Sequence, residues 1–269
     1  RAQAGLGPGV DGVERIRAFA AAMNESRPDF VLQCGDFCQP KETNRAFLDA
    51  WNQIACPRYH VLGNHDMDGG STREQTVAFY GMPANHYTFD AGPLRGIVLD
   101  GNDPGGTTKG YKRFIARAQL DWLAAELERD AQPALVFVHQ PIDTMEGGVE
   151  NAAAVRAVLE DANKKTPGRV AAVFCGHLHR DYVQTIGGIP HVQINSASYV
   201  WLAGKMTRES YAPEIHKAYP SLVNVAPYRD PLWAEITVDR DAAQLIIAGR
   251  SSEWVGDDPW KRGATCVRW

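Results

Sequence analysis

The chain reads as an α/β protein in which two sheets pack face to face with helices outside. Two observations point there. Up to residue 175, stretches with apolar residues at helical spacing alternate with short apolar runs of strand length. Beyond residue 180 the pattern changes to paired β-type segments around turn residues. Alternation followed by hairpins fits such layering, although periodicity alone does not fix the number of sheets.

Residues 11–26 place Val13, Ile16, Phe19, Ala20 and Met23 on one helical face, and Pro28 ends the run. Residues 30–34 form a buried strand. Residues 42–54 form a second helix with Phe47, Leu48, Trp51 and Ile54 on one face, and residues 58–62 the next strand. Ser71-Thr72-Arg73-Glu74 matches a capping box for a helix reaching Tyr80, with Gly81 just beyond. Segments 86–90 and 95–100 pair around Ala91-Gly92-Pro93. Helices over 116–129 and 150–163 precede strands that end at His139 and Cys175. Gly187-Gly188 joins strands 181–186 and 189–195, and residues 232–238 and 243–249 form a further pair. Residues 200–231 read as a long loop with a short helix near 212–218. The expected division is a main domain over residues 1–250 and a C-terminal extension over 251–269.

The 269 residues are 44% hydrophobic, enough for a large core, and carry a formal net charge of −4. With no Lys/Arg block, nucleic acid is not an expected partner. No apolar run approaches the roughly 18 residues that span a bilayer, so no membrane partner is expected either. Five cysteines cannot all pair internally; Cys34 and Cys175 read as small buried residues, with a slight lean to a reducing compartment. No leader pattern is visible, and a start at Arg1 leaves room for one removed upstream.

Four apolar runs each end in a ligand-type side chain. Val31-Leu32-Gln33-Cys34 runs into Gly35-Asp36, Tyr59-His60-Val61-Leu62 into Gly63-Asn64-His65-Asp66, Val136-Phe137-Val138 into His139, and the strand to Cys175 into Gly176-His177-Leu178-His179. An α/β scaffold assembles sites from strand ends in this way. The donors are nitrogen and oxygen without thiolate, which suits Mn, Fe, Zn or Ni better than Ca. If the last segment is extended, His177 and His179 share a face and Leu178 points away into the core.

These blocks, in this order from about residue 29 to 200, resemble the calcineurin-like metallophosphoesterases. The resemblance implies an α/β fold of four layers, an αββα sandwich of two mixed β-sheets flanked by helices. It implies two divalent metal ions and hydrolysis of a small phosphorylated substrate, a phosphomonoester or phosphodiester, by a water activated between the metals. Asp36 would bridge the metals, Asn64, His139 and His177 would complete one site, and His179 would join Asp36 at the other. His65 would give a proton to the leaving group, held by Asp66. The family opens with D-x-H, and no D-x-H occurs in this chain. The site nearest His179 is therefore expected to be incomplete within these residues. Gln39 stands where purple acid phosphatases, close relatives, carry a tyrosine ligand, so no charge-transfer tyrosine is expected.

Asn102, in the turn-rich run Gly101-Asn102-Asp103-Pro104-Gly105-Gly106, is a candidate substrate contact, or an ordinary turn residue. His60, His86, His191 and His216 lack motif support and read as structural, and Trp51, Trp122 and Trp233 as core. Alternatives on the same scaffold are a nucleotide pyrophosphatase, a cyclic-nucleotide phosphodiesterase, or a non-catalytic binding module.

Overall fold

The computed structural model describes residues 12–202, 204–239 and 244–262. Asp11, Cys266 and the rest of the tail beyond 262 lie outside them. Helix α1 spans Gly12–Ser26, α2 Arg45–Trp51, α3 Arg73–Tyr80, α4 Arg117–Glu128, α5 Ala152–Lys165 and α6 Pro213–Ala218. The strands are β1 Val31–Gln33, β2 Arg58–His60, β3 Tyr87–Ala91, β4 Leu94–Val98, β5 Ala134–Val138 and β6 Val170–Cys175. They continue as β7 Tyr182–Ile186, β8 Ile189–Gln193, β9 Tyr199–Trp201, β10 Val225–Pro227, β11 Ala234–Asp239 and β12 Gln244–Gly249.

Six strands form one mixed sheet in the order β3-β4-β5-β6-β8-β7, with β4, β5, β6 and β8 parallel and the two outer strands antiparallel to their neighbours. Its central strands have no polar face. On β5, Val136 and Val138 pack outward with Leu123 of α4 and Val155 and Leu159 of α5. Leu135 and Phe137, one residue out of phase, face the opposite core. That inner core collects Ala20 and Met23 of α1, Leu48 and Trp51 of α2, Val31 of β1 and, at its margin, Ile236, Val238 and Leu245 of the last hairpin.

The second strand layer is built of two separate pairs. It consists of the parallel pair β1–β2 and the antiparallel hairpin β11–β12, which do not bond each other. No strand among the described residues bonds the free edge of β1, so nothing there joins the two pairs. Two local expectations shift. The box on α3 is made by Thr72 and Gln75, one residue later than read, because the Thr72 hydroxyl accepts from Gln75 N at 3.2 Å. Residues 200–231 contain strands β9 and β10, paired from Val225–Trp201 to Pro227–Tyr199 and sealed by Val200, Leu202, Ala226 and Tyr228. Each strand has three residues, too few for periodicity to reveal. Trp254 then packs its ring 4.6 Å from that of Tyr228.

His60 is buried and stacks on Tyr80 at 4.8 Å, His191 is buried in the large sheet, and Trp51 sits in the inner core. No helix among the described residues is long and apolar enough to cross a membrane.

Candidate metal centre

Parallel register delivers the site. In β5–β6, Val138 faces Cys175, so His139 emerges beside Gly176, whose N–H donates to His139 O at 3.0 Å. In β1–β2, Gln33 faces His60 and Val61 N donates to Gln33 O, which lays Gly35-Asp36 against Gly63-Asn64. Contact is close enough to require glycine. A Cβ on Gly63 would lie 2.1 Å from Asp36 N and 2.2 Å from Asp36 Oδ1. One on Gly35 would lie 2.2 Å from His139 Nδ1, and Gly35 also has φ +96°.

Three site residues adopt the left-handed conformation that side chains avoid: Asp36 (φ 56°), His177 (φ 75°) and His179 (φ 53°). Among the described non-glycine residues only Arg27 joins them, so backbone strain concentrates where the ligand-type side chains are. This corrects one expectation. The His177-Leu178-His179 segment is a left-handed turn and not extended, and Leu178 is half-buried near Gly147, outside both cores.

Asp36, His139 and His177 offer ligand atoms all within 4.8 Å of one another. His139 Nε2 lies 3.3 Å from Asp36 Oδ2, 3.1 Å from Asn64 Oδ1 and 3.2 Å from His177 Nδ1. Its other nitrogen, Nδ1, is 2.7 Å from Cys34 O and donates there, which aims Nε2 at the cluster. Four lone-pair donors thus converge, and one proton on His139 Nε2 cannot serve three neighbours at once. A divalent cation serves all four, so the donor set fits a metal.

Electrostatics agree. Burial acts to raise the Asp36 carboxyl, but His139 and hydrogen bonds from His139 and His65 outweigh it and hold it well below the usual range. For His139, burial opposes charge and Asp36 outweighs burial, raising it. His177 is lowered to about 3, by burial first and then by His139. His179 is lowered to about 4, mainly by burial. Both imidazoles therefore keep a free lone pair at neutral pH. His179 stands outside the three-residue cluster, with Nδ1 2.9 Å from Tyr199 O, which leaves its Nε2 available.

Asn64, His65 and Asp66 form a short 3₁₀ turn with Met67. Asp66 is fully buried and accepts from Gly63 N at 2.8 Å and Asp36 N at 3.1 Å, bracing the two loops against each other. Burial and the charge of Asp36 raise it to about 7. The carboxylate on the His65 ring is instead that of Asp68, whose Oδ2 is 2.8 Å from Nδ1. Tyr111, from the loop after β4, puts its hydroxyl 3.0 Å from the same nitrogen and donates to Asp68 Oδ1 at 2.9 Å. The sequence reading missed Asp68 and Tyr111. Asp68 sits three residues after His65, a spacing that brings side chains together within one helical turn, whereas Tyr111 offered no local signal.

A cavity of ≈ 470 Å³ opens beside Asn64, lined also by Asp68, Thr72, Arg73, Tyr111 and Lys112. Arg73 is tied to Asp100 at 2.9 Å and Asp103 at 3.1 Å. Asn102 borders the cavity, but its amide donates to Asp100 Oδ1 (2.8 Å) and Leu62 O (3.2 Å) and accepts from Gln140 (2.9 Å). Its side chain therefore acts as a turn brace. Lys112 has no ion-pair partner among the described residues.

A family model described as calcineurin-like phosphoesterase matches residues 9–181. The chain belongs to the calcineurin-like phosphoesterase family and is a hydrolase acting on phosphate esters. It is 27% identical over 284 residues to a probable cyclic nucleotide phosphodiesterase of Rhodococcus erythropolis (strain PR4 / NBRC 100887), across 92% of this chain and 87% of that one. Its fold is similar to the crystal structure of a dimetal phosphatase from Danio rerio (TM-score 0.51, 19% identity, 68% of this chain and 77% of the other). It is also similar to GAP50, described as the anchor in the inner membrane complex of Plasmodium (TM-score 0.51, 17% identity, 73% and 68%).

Proposed function

We propose that the chain hydrolyses phosphodiesters, with a cyclic nucleotide as substrate class. The observation that carries this is the charge of the cavity. Its volume lies within the range of small-molecule sites, about 300–1,000 Å³. Its arginine is already neutralised by two carboxylates, Asp68 and Glu74 add negative charge to the lining, and Lys112 is the lining cation without an ion-pair partner among the described residues. One cation beside a metal centre suits the single negative charge of a diester better than the two of a monoester. The likeness to a probable cyclic nucleotide phosphodiesterase, which extends into the β-rich C-terminal part, supports the same class.

Asp36, Asn64, His139 and His177 would hold one divalent ion, Mn, Fe, Zn or Ni by donor type. Asp36 and the free Nε2 of His179 would contribute to a second. When bound, such ions polarise the phosphate and acidify a water. Cys34 O keeps His139 in the tautomer that ligation needs. His65 supplies the proton: with the ring protonated on both nitrogens and Nδ1–H held by Asp68, Nε2–H gives its proton to the departing ester oxygen and the ring is left neutral with Nδ1–H. The Asp68 carboxylate is the counter-charge a protonated ring needs. Lys112 and Thr72 line the wall that would hold the rest of the substrate.

Manganese-loaded protein should hydrolyse 3′,5′-cyclic AMP and bis(p-nitrophenyl) phosphate with kcat/KM at least about tenfold above that for p-nitrophenyl phosphate. A preference for the monoester would overturn the diester assignment. Hydrolysis of the aryl diester without cyclic AMP would leave the diester and remove the nucleotide.

A further inference from the structure

We propose that Tyr111 is a positioning residue for the hydrolytic step. Together with Asp68 it engages the Nδ1–H of the protonated His65 ring and fixes the orientation that presents Nε2–H to the leaving oxygen. The proposal rests on the reading of His65 as proton donor.

The proton count supports it. The Tyr111 hydroxyl has one proton, donated to Asp68 Oδ1 at 2.9 Å. Its oxygen is then an acceptor toward His65 Nδ1, 3.0 Å away, and Asp68 Oδ2 is a second acceptor at 2.8 Å. Both neighbours of Nδ1 require it to carry the hydrogen, so Nδ1 is occupied and Nε2 is the working atom. The Tyr111 ring meets the imidazole edge-on, with centroids 4.7 Å apart at 66°, and limits rotation of the histidine.

The loop that carries Tyr111 is pinned at its base and along its length. Asp103 N donates to Phe114 O (3.0 Å) and Phe114 N to Gly101 O (2.8 Å), closing the ends. Glu150 accepts from Thr107 N (2.6 Å), Thr107 Oγ1 (3.1 Å) and Thr108 N (3.0 Å). A tyrosine 44% exposed at the rim of the cavity has little core to stabilise. Its fixed placement on His65 and Asp68 serves the site instead.

Four manganese-loaded proteins test this with aryl phosphodiesters of increasing leaving-group pKa: wild type, Tyr111→Phe, His65→Ala and the double variant. Asp68→Asn is a second probe of the same contact. Tyr111→Phe keeps the ring and should lower kcat about tenfold for poor leaving groups, less for p-nitrophenolate, with KM nearly unchanged. In the His65→Ala background the same change should cost less than about twofold, because the partner it positions is gone. Asp68→Asn should steepen the leaving-group dependence in the same direction. An equal loss in both backgrounds, or an equal loss for all leaving groups, would overturn the proposal. If His65→Ala is harmless, the reading of His65 fails and Tyr111 fails with it. If His65→Ala is severe and Tyr111→Phe silent, the role of Tyr111 alone fails.

Discussion

The two walls of the site are built by different means. On the ligand wall, Asp36, Asn64, His139 and His177 are set by backbone: parallel strand register, two close-packed glycines, left-handed residues and a carbonyl on His139. On the cavity wall, His65, Asp68 and Tyr111 are set by side chains bonding one another across a loop, in partly exposed positions. A wall fixed by backbone keeps its donors converged whatever happens at one side chain opposite. The two proposed jobs, holding metal and moving a proton, should therefore separate by mutation.

The largest effect expected is on the ligand wall. His177→Ala or Asp36→Asn should remove stoichiometric metal and cut turnover by at least about 10³-fold. Metal analysis with diester assays checks this, and retained metal would move these residues out of the ligand set. His65→Ala should lower kcat roughly 10²- to 10⁴-fold with metal content unchanged. Loss of metal on the scale of His177→Ala would merge the two walls. Gly63→Ala forces the Asp36 turn away, because the added Cβ would sit 2.1 Å from backbone. Denaturant unfolding should show a loss of about 1–3 kcal/mol, with weaker metal binding. A silent Gly63→Ala would mean the loops yield easily.

Lys112→Ala should raise KM about tenfold for a diester and change kcat little, as expected of the proposed role in which the lysine holds substrate in ground and transition states alike. A fall in kcat with constant KM would place it in the chemical step. The smallest effect concerns pH. Burial lowers His60 and His177 to about 3 and His179 to about 4, from an ordinary 6.5. Between those values the unfolded chain binds more protons at these three imidazoles than the folded one, so their contribution to the stability of metal-free protein rises with pH across that window. Its urea midpoint should be lower at pH 5 than at pH 7, and His60→Gln should flatten part of the slope. An unchanged slope in His60→Gln would show that His60 is not held neutral, whereas the raised Asp66 and His139 oppose the overall trend in the same window.

The ligand wall was legible in the sequence because each donor lies within four residues of the end of a strand. The order of these strand-end blocks resembles that of the calcineurin-like metallophosphoesterases, and that resemblance is what singled out Asp36, Asn64, His139 and His177. The cavity wall was not. Tyr111 reaches His65 over 46 residues through a loop closed by Phe114 and Glu150, and such loop geometry leaves no periodicity. Asp66 drew attention by adjacency to His65, but the 3₁₀ turn directs its carboxylate to Gly63 and Asp36 N–H groups and brings Asp68 to the ring. For the fold, long amphipathic helices and the central sheet were readable. The three-residue strands β9 and β10 and the splitting of the second strand layer depend on pairing partners that local patterns do not specify.

The most direct test is manganese titration into metal-stripped protein, followed by calorimetry and by bis(p-nitrophenyl) phosphate hydrolysis in parallel, for wild type, His177→Ala and His65→Ala. Stripped wild type should be inactive and regain turnover as metal binds. His65→Ala should bind as wild type does yet stay nearly inactive, and His177→Ala should lose both binding and turnover. Hydrolysis by stripped protein, or equal loss of metal binding in the two variants, would contradict the division of the site into a ligand wall and a proton-transfer wall.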